Sequence, residues 1–413
     1  MSIEVHLSPS SRAEQTPDTV IGEVYRYPHA GGERIGFRYD PRWLMHEERF
    51  AIDPDLYLDS RTTSPKRGGV FGAFADCAPD RWGRQLMQRA ERRNADEEGR
   101  QLRTLSAMDY VLGVSDASRL GALRFYCDDE FQSPGNEVPP LIRLASLLDA
   151  ANRLDRGEES DADFALIFAP GSSLGGARPK ASILDAHGNL SIAKFPREGD
   201  EYSIERWESI ALTLAHRAGI KTAASQLIEV SGKQVLLSRR FDRRDGGRVH
   251  FASAMTLLGL QDGDHASYPE LAEILQRDGA SPRRDSEELY RRLVFNISIA
   301  NVDDHLRNHG FLRETTRSRS SNGWALSPAY DLNPVPMDLK PRILSTSVTL
   351  DDATGSLDAA REVASFFGLS NQEAARVIDE VSAAVAQWPS VARSAGASAS
   401  ERARMESAFL FTS

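Results

Sequence analysis

Three residues toward the C-terminal end carry side chains suited to proton and metal chemistry. Asp303 and Asn308 stand five apart in Asn301-Val-Asp-Asp-His-Leu-Arg-Asn-His-Gly310, and Asp331 follows in Ser327-Pro-Ala-Tyr-Asp-Leu-Asn-Pro334. A carboxylate can accept a proton, and carboxylate and amide oxygens are the hard ligands that Mg²⁺ takes. Upstream lies Pro170-Gly-Ser-Ser-Leu-Gly-Gly-Ala-Arg-Pro-Lys180. There Gly171, Gly175 and Gly176 would let backbone N–H groups approach phosphate oxygens, with Lys180 at the rim as a counter-charge. It is not a P-loop, because no Gly-Lys-Ser/Thr follows.

Two further charges sit where apolar residues are expected. Lys194 shares a strand face with Leu190 and Ile192 at period two, and Glu208 shares a helix face with Ile204, Ala211 and Ala215. A carboxylate on an apolar face is costly unless a cation meets it, and Lys194 is the nearest candidate. A strand lysine paired to a helix glutamate behind a glycine-rich loop is how protein kinases hold ATP phosphates. The Asp303–Asn308 spacing is that of the kinase catalytic loop His-Arg-Asp-x-x-x-x-Asn, and Asp331 falls where a second metal-binding aspartate is expected. Two competing readings exist. Asp303 and Asp304 could merely cap a helix, or Asp303, His305 and His309 could form a hydrolase-type metal site on one helical face. The metal reading explains none of the loop, lysine and glutamate.

The elements that must position these groups alternate in character. Val20–Tyr25 and Ile35–Tyr39 read as strands, and from Pro79 the pattern turns helical through Trp82, Leu86 and Ala90. Ser133–Pro140, with three prolines and one glycine, marks the main boundary. A helix is expected at Leu141–Arg153, and strands at Ala181–Leu184 and Leu190–Phe195 around Asp185-Ala-His-Gly-Asn189. A helix at Ile204–Arg217 ends at Gly219, and strands follow at Ala224–Val230 and Gln234–Ser238. Beyond Asp245 the chain reads as mostly helical, with a capping box at Ser370–Glu373. The expected fold is α+β, a kinase-like bilobal arrangement with a small β-rich lobe and an all-helical C-terminal lobe, preceded by a β-rich subdomain. The expected domains are 1–138, 139–245 and 246–413.

Length and composition narrow the function classes. The 413 residues allow several cores, and 50 Lys+Arg against 60 Asp+Glu leave a net charge of −10. That whole-chain charge does not announce a general nucleic-acid binder or an anionic-membrane adherent, and any such contact must be local. Cys77 and Cys127 exclude a disulfide framework and a cysteine-based zinc cluster, and a reducing cytoplasm fits. No apolar stretch is long enough for a membrane span. Lysine occurs only at positions 66, 180, 194, 221, 233 and 340, so Lys180 and Lys194 stand out in an arginine-rich chain.

Taken together, the chain resembles the HipA-type serine/threonine-protein kinase toxins of bacterial toxin–antitoxin modules. The resemblance spans nearly the whole chain. It rests on Gly36–Leu44, Gly72–Arg84 and Ser118–Phe125 in the N-terminal part, then on Gly175–Lys180, Ile192–Phe195, Arg240–Arg243, Asn301–Asn308 and Ala329–Asp331 in the same order as the family's motifs. It implies ATP and Mg²⁺ as cofactors. By position, Gly175, Gly176, Lys180 and Lys194 would hold ATP phosphates, Asp303 would be the catalytic base, Asn308 and Asp331 would bind Mg²⁺, and Glu208 would be the structural partner of Lys194. The segment Leu237–Phe241, with Arg239 and Phe241, would be the adenine-contacting hinge. Arg239 stands where an acidic residue is expected, so a side-chain hydrogen bond to ribose or base is lost there. The resemblance also implies autophosphorylation at Ser173, with Ser172 beside it. It implies a HipB-like helix-turn-helix antitoxin, operator DNA reached only through that antitoxin, and a protein substrate of the aminoacyl-tRNA synthetase kind. The alternative is a non-catalytic ATP-binding corepressor.

Overall fold

The computed structural model describes residues 2–10, 17–29, 32–132, 138–168, 178–314 and 323–409. The chain divides into two compact units. One holds Met1–Glu198, Asp242–Ala252 and Gly259–Gln261, and the other holds Gly199–Phe241, Ser253–Leu258 and Asp262–Ser413. The glycine-rich loop residues Gly171, Ser172, Ser173, Gly175 and Gly176 lie outside the described residues, as does much of the Ser133–Pro140 boundary.

The first unit is built on a five-stranded sheet. Ser2–Leu7 lies at its centre, antiparallel to both Thr19–His29 and Leu123–Cys127, with Gly32–Tyr39 and Glu130–Phe131 outermost. Val5 pairs with Gly22 on one side and with Phe125 on the other. Its face buries Ile3, Val5, Ile21 and Val24 against Phe71, Phe74 and Phe125, so the alternation in Ser2–Leu7 is a half-buried strand. Gly22 is required by packing, because a Cβ there would come 2.5 Å from the Arg38 carbonyl oxygen. The helix Arg81–Glu97 starts one residue beyond Pro79–Asp80, and Asp80 accepts the Gly83 N–H. The expected helix after the boundary is a 3₁₀ turn, Leu141–Arg143, leading into Leu144–Arg156. The hairpin Lys180–Leu184 with Leu190–Lys194 follows the predicted strands closely.

In the second unit the helix Ile204–Arg217 forms over the expected span, capped by Ser203 and followed by Gly219 at φ +79. The strands Ser225–Val230 and Lys233–Arg239 pair antiparallel. Helices Tyr268–Asp278, Pro282–Ser298, Asn371–Val385 and shorter pieces make up most of the rest. The capping box at Ser370–Glu373 is formed. An antiparallel strand pair, Gly310–Glu314 with Gly323–Leu326, interrupts this helical part directly after the Asn301–Gly310 loop. The fold is mixed α+β, sheet-rich at the N-terminal end and mainly helical at the C-terminal end. Among the described residues, no helix is long and apolar enough to cross a membrane.

Candidate functional site

The segment 301–309 is a series of turns rather than a helix. That removes the premise of the capping reading. It also removes the premise of two histidines on one helical face, and no cluster of three or more His, Cys, Asp or Glu forms among the described residues. The loop is launched by the end of the helix Pro282–Ser298. There the Asn301 N–H returns to the Asn296 carbonyl at 2.9 Å, and Ala300 takes the left-handed conformation at φ +49. A β-carbon-bearing residue held in that region stores a modest strain, of the kind that collects at functional sites.

The two aspartates of the loop have opposite environments. Asp303 is exposed, and its carboxylate has no hydrogen-bond partner among the described residues. Asp304 is 1% exposed. Its Oδ2 accepts the Tyr268 hydroxyl at 2.8 Å, and its Oδ1 accepts the Ser345 and Thr346 N–H groups at 3.1 and 3.3 Å. Burial pushes the Asp304 carboxyl up to about 8, against the pull of those donors. Its carbonyl takes the Thr346 hydroxyl at 2.6 Å and the His309 ring Nε2 at 3.1 Å. Burial, and then the Arg292 charge, hold His309 down to about 3, so it is a neutral structural histidine. Asp304 therefore braces the loop and leaves Asp303 to face outward.

Asn308 donates its Nδ2 to the Asp303 carbonyl at 2.9 Å, which leaves its Oδ1 as an oxygen ligand. Asp331 sits in a turn at φ +57, a conformation that aspartate tolerates, and its Oδ1 accepts Asn333 Nδ2 at 3.0 Å. Two bonds tie this turn to the loop. The Tyr330 hydroxyl donates to the Arg307 carbonyl at 2.6 Å, and the Asn333 N–H donates to Asn301 Oδ1 at 3.1 Å. Asn308 and Asp331 are thus the chain neighbours of two directly bonded residues, Arg307 and Tyr330. An amide oxygen and a carboxylate held together in this way fit Mg²⁺, which needs few protein ligands when phosphates and water fill the rest. Phe241 lies against Tyr330 with ring centroids 5.4 Å apart, so the end of the expected hinge also reaches this turn. Arg239 closes the strand Lys233–Arg239, its N–H on the Ala224 carbonyl at 2.8 Å and its side chain exposed. Glu208 is 3% exposed on its helix, as the apolar-face argument requires.

In the first unit Lys180 and Lys194 are direct cross-strand partners. Like charges opposite one another repel, so such a pair needs anions. For Lys180 the anion is Asp80: Nζ–Oδ2 is 2.7 Å, with the side chains 4% and 2% exposed. Burial raises the Asp80 carboxyl, and the Lys180 charge opposes that rise. Lys180 is thus buried against the N-cap of Arg81–Glu97 rather than standing at a solvent rim. Lys194, one strand over, is half-buried.

Several residues brace the backbone. Asp242 and Arg243, from the Arg240-Phe-Asp-Arg243 run, are structural: Asp242 is fully buried, accepts the Gly121 N–H at 2.7 Å and pairs with Arg243 at 2.6 Å. Gly121 sits at φ +75, which suits glycine at this close approach. Arg243 also donates to the carbonyls of Ala117 and Arg119. Burial alone would raise Asp116, but Arg124 and Arg248 bring it down to about 2. Missed in the second unit were Tyr268, Asn296, Asn301 and Asn333. The available signal was Asn296, which with Ser298 interrupts the apolar run Leu293–Ala300.

The sequence families decide the wider assignment. The HipA-like C-terminal domain matches residues 172–388, more than half the chain, and the HipA N-terminal domain matches residues 16–109. The chain belongs to the HipA family. The HipA C-terminal match takes in Lys194, Glu208, Asp303, Asn308 and Asp331. A relative from Sinorhizobium fredii (strain NBRC 101917 / NGR234), named "Putative kinase Y4mE", is 26% identical over 421 residues, covering 89% of each chain. A second from the same strain, "Putative kinase Y4dM", is 31% identical over 161 residues, 35% of this chain and 37% of its own. The HipA chain in a complex of the Shewanella oneidensis MR-1 toxin–antitoxin system HipA, HipB and its operator DNA matches with a TM-score of 0.68. It covers 98% of this chain and 94% of that one at 16% identity, a likeness of fold.

Proposed function

We propose that the protein is an ATP- and Mg²⁺-dependent protein serine/threonine kinase acting as a growth-inhibiting HipA-type toxin. The carrying observation is the pair of bonds that hold the Asp331 turn against the Asp303–Asn308 loop, with the Asp303 carboxylate exposed and without a hydrogen-bond partner among the described residues. In that arrangement Asp303 accepts the proton of the substrate hydroxyl as the phosphoryl group leaves ATP. Asn308 Oδ1 and the Asp331 carboxylate are the residues to hold Mg²⁺, which when bound spreads the charge of the transferring group. Lys194 supplies a positive charge for phosphate, while Asp80 already occupies Lys180. Lys180, at the end of the glycine-rich loop segment in sequence, is therefore committed to Asp80 first. Self-inactivation by phosphate on Ser173 belongs to the same reading, since a doubly charged group in that loop would repel ATP phosphates.

The proposed partner is a small helix-turn-helix antitoxin, in keeping with the HipB and operator DNA of the Shewanella complex. Direct DNA binding is not expected of this chain. Its net charge is −10, and its arginine clusters are largely taken up internally: Arg248 by Asp116, Arg283 by Glu373, Arg284 by Asp285, Arg291 by Glu380 and Arg292 by Glu288. A protein of the aminoacyl-tRNA synthetase kind is the proposed substrate class. The test is a thermal-shift titration with ATP and Mg²⁺, followed by transfer of the labelled γ-phosphate to protein. Stabilisation that needs both ligands, with label on protein, supports the kinase. Stabilisation without transfer would leave the corepressor reading in its place.

A further inference from the structure

A continuous line of hydrogen bonds runs through the second unit from the catalytic loop to the Asp331 turn. The Asn333 N–H donates to Asn301 Oδ1 at 3.1 Å, and Asn301 Nδ2 donates to Asn296 Oδ1 at 3.1 Å. Asn296 Nδ2 donates to the Tyr268 hydroxyl at 2.8 Å, which donates to Asp304 Oδ2 at 2.8 Å. At the near end Asn333 Nδ2 donates to Asp331 Oδ1. The direction of every amide bond is forced. A backbone N–H can only donate, so Asn301 must turn its oxygen to Asn333 and its NH₂ to Asn296. Asn296 must then turn its NH₂ to Tyr268, whose one proton goes on to Asp304. Tyr268, Asn296, Asn301 and Asp304 are all buried, so each orphaned group would carry a desolvation cost.

The chain starts from well-fixed elements. Tyr268 is the first residue of a helix whose Ser267–Glu270 capping box is complete, and Asn296 lies in the last turn of Pro282–Ser298. Within this chain of bonds, Asn301 is the member that joins the catalytic loop to the Asp331 turn. We infer that Asn301 is a positioning residue: through this one-way chain it fixes the Asp331 carboxylate relative to Asn308, and so sets the affinity for the divalent cation. This rests on the kinase reading of Asn308 and Asp331. Outer partners of metal ligands typically contribute about 10–100-fold in affinity.

The test has two arms on the full chain. Without nucleotide, hydrogen exchange of the peptide holding Asn333 reports the latch itself. For Asn301→Leu it should speed up about five- to tenfold, the worth of one buried neutral hydrogen bond. With ADP present, Mg²⁺ is titrated and thermal stabilisation is read. Half-saturation for Asn301→Leu should move up about 10–100-fold, while saturating Mg²⁺ restores the full shift. Asn301→Asp keeps the acceptor for the Asn333 N–H but loses the NH₂ that Asn296 Oδ1 accepts, so both readouts should fall between those of the parent and Asn301→Leu. If Asn301→Leu does not fold, Asn333→Ala replaces it. That variant keeps the N–H but removes the bond to Asp331, and it should raise the Mg²⁺ requirement toward that expected of Asn301→Leu. Unchanged exchange at Asn333 overturns the chain. Faster exchange with unchanged Mg²⁺ half-saturation makes the chain merely structural and overturns the positioning role. A parent protein whose stability ignores Mg²⁺ and ADP overturns the kinase reading and this role with it, whatever the exchange arm shows.

Discussion

Replacing Lys180 should damage the fold of the first unit before it damages nucleotide binding. Its ammonium lies 2.7 Å from Asp80 Oδ2 with both side chains almost wholly buried. Removing one partner of such a pair leaves a buried charge unmet and costs about 3–5 kcal/mol. Lys180→Met should therefore lose that much, or roughly 6–20 °C in Tm for a unit of this size. Asp80 has a second task, since its Oδ1 accepts the Gly83 N–H at the start of Arg81–Glu97. A rescue must keep that cap. Asn is as good an N-cap as Asp, so Lys180→Met with Asp80→Asn should recover most of the loss, whereas Asp80→Leu in the same background should stay about 1 kcal/mol lower. Denaturant unfolding, followed by a probe in the first unit, gives the three values. If Lys180→Met unfolds within about 1 kcal/mol of the parent, the buried pair is not a stabilising element and the reasoning from burial fails.

Stability should also depend on pH in a defined window. Asp304, held up to about 8, binds its proton more tightly folded than unfolded, so its contribution is full below about pH 4 and is lost as pH rises through 8. His309, held down to about 3, contributes fully above about pH 6.5 and loses this as pH falls toward 3. The two slopes oppose each other at acid pH, and above about pH 6.5 only Asp304 acts, giving a fall of about 2 kcal/mol by pH 8. Urea midpoints at the two pH values should show it for the parent and not for Asp304→Asn; a flat parent curve contradicts it. Intact-mass measurement after incubation with ATP should show one added phosphate, mapping to Ser172 or Ser173, with activity lost in step; active enzyme free of phosphate there refutes self-inactivation. In gel-shift titrations the chain alone should not bind operator DNA at physiological salt but should raise the antitoxin's affinity, the gain shrinking as salt rises. Tight binding by the chain alone would refute that.

Much of the scaffold was readable because local signals and tertiary demands agree. Ser203 caps Ile204–Arg217 and Gly219 ends it, and Ser370 with Glu373 opens the helix after it, so those boundaries follow from side chains that satisfy the backbone locally. The central strand Ser2–Leu7 was less visible, because its alternation is short and its partners lie at positions 19–29 and 123–127. The pair Gly310–Glu314 with Gly323–Leu326 was likewise hidden by the charged, serine-rich stretch between its strands. For the site, spacing singled out Asp303, Asn308 and Asp331 as candidates, and the structure bonds the turn of the last to the loop of the first two through Tyr330 and Asn333. It could not show that Asp304 rather than Asp303 is the buried brace, or that Lys180 faces Asp80 one hundred positions away. Both depend on contacts between distant segments.

The most direct test of the kinase account compares the parent with Asp303→Asn and Asp331→Asn in one experiment that reads Mg²⁺-dependent ATP binding and γ-phosphate transfer together. The account predicts that Asp303→Asn binds Mg²⁺ and ATP as the parent does but transfers phosphate about 10²–10⁴-fold more slowly, the usual worth of a positioned base. Asp331→Asn should lose the Mg²⁺-dependent binding as well. Transfer by Asp303→Asn at the parent rate would contradict the assignment of this loop.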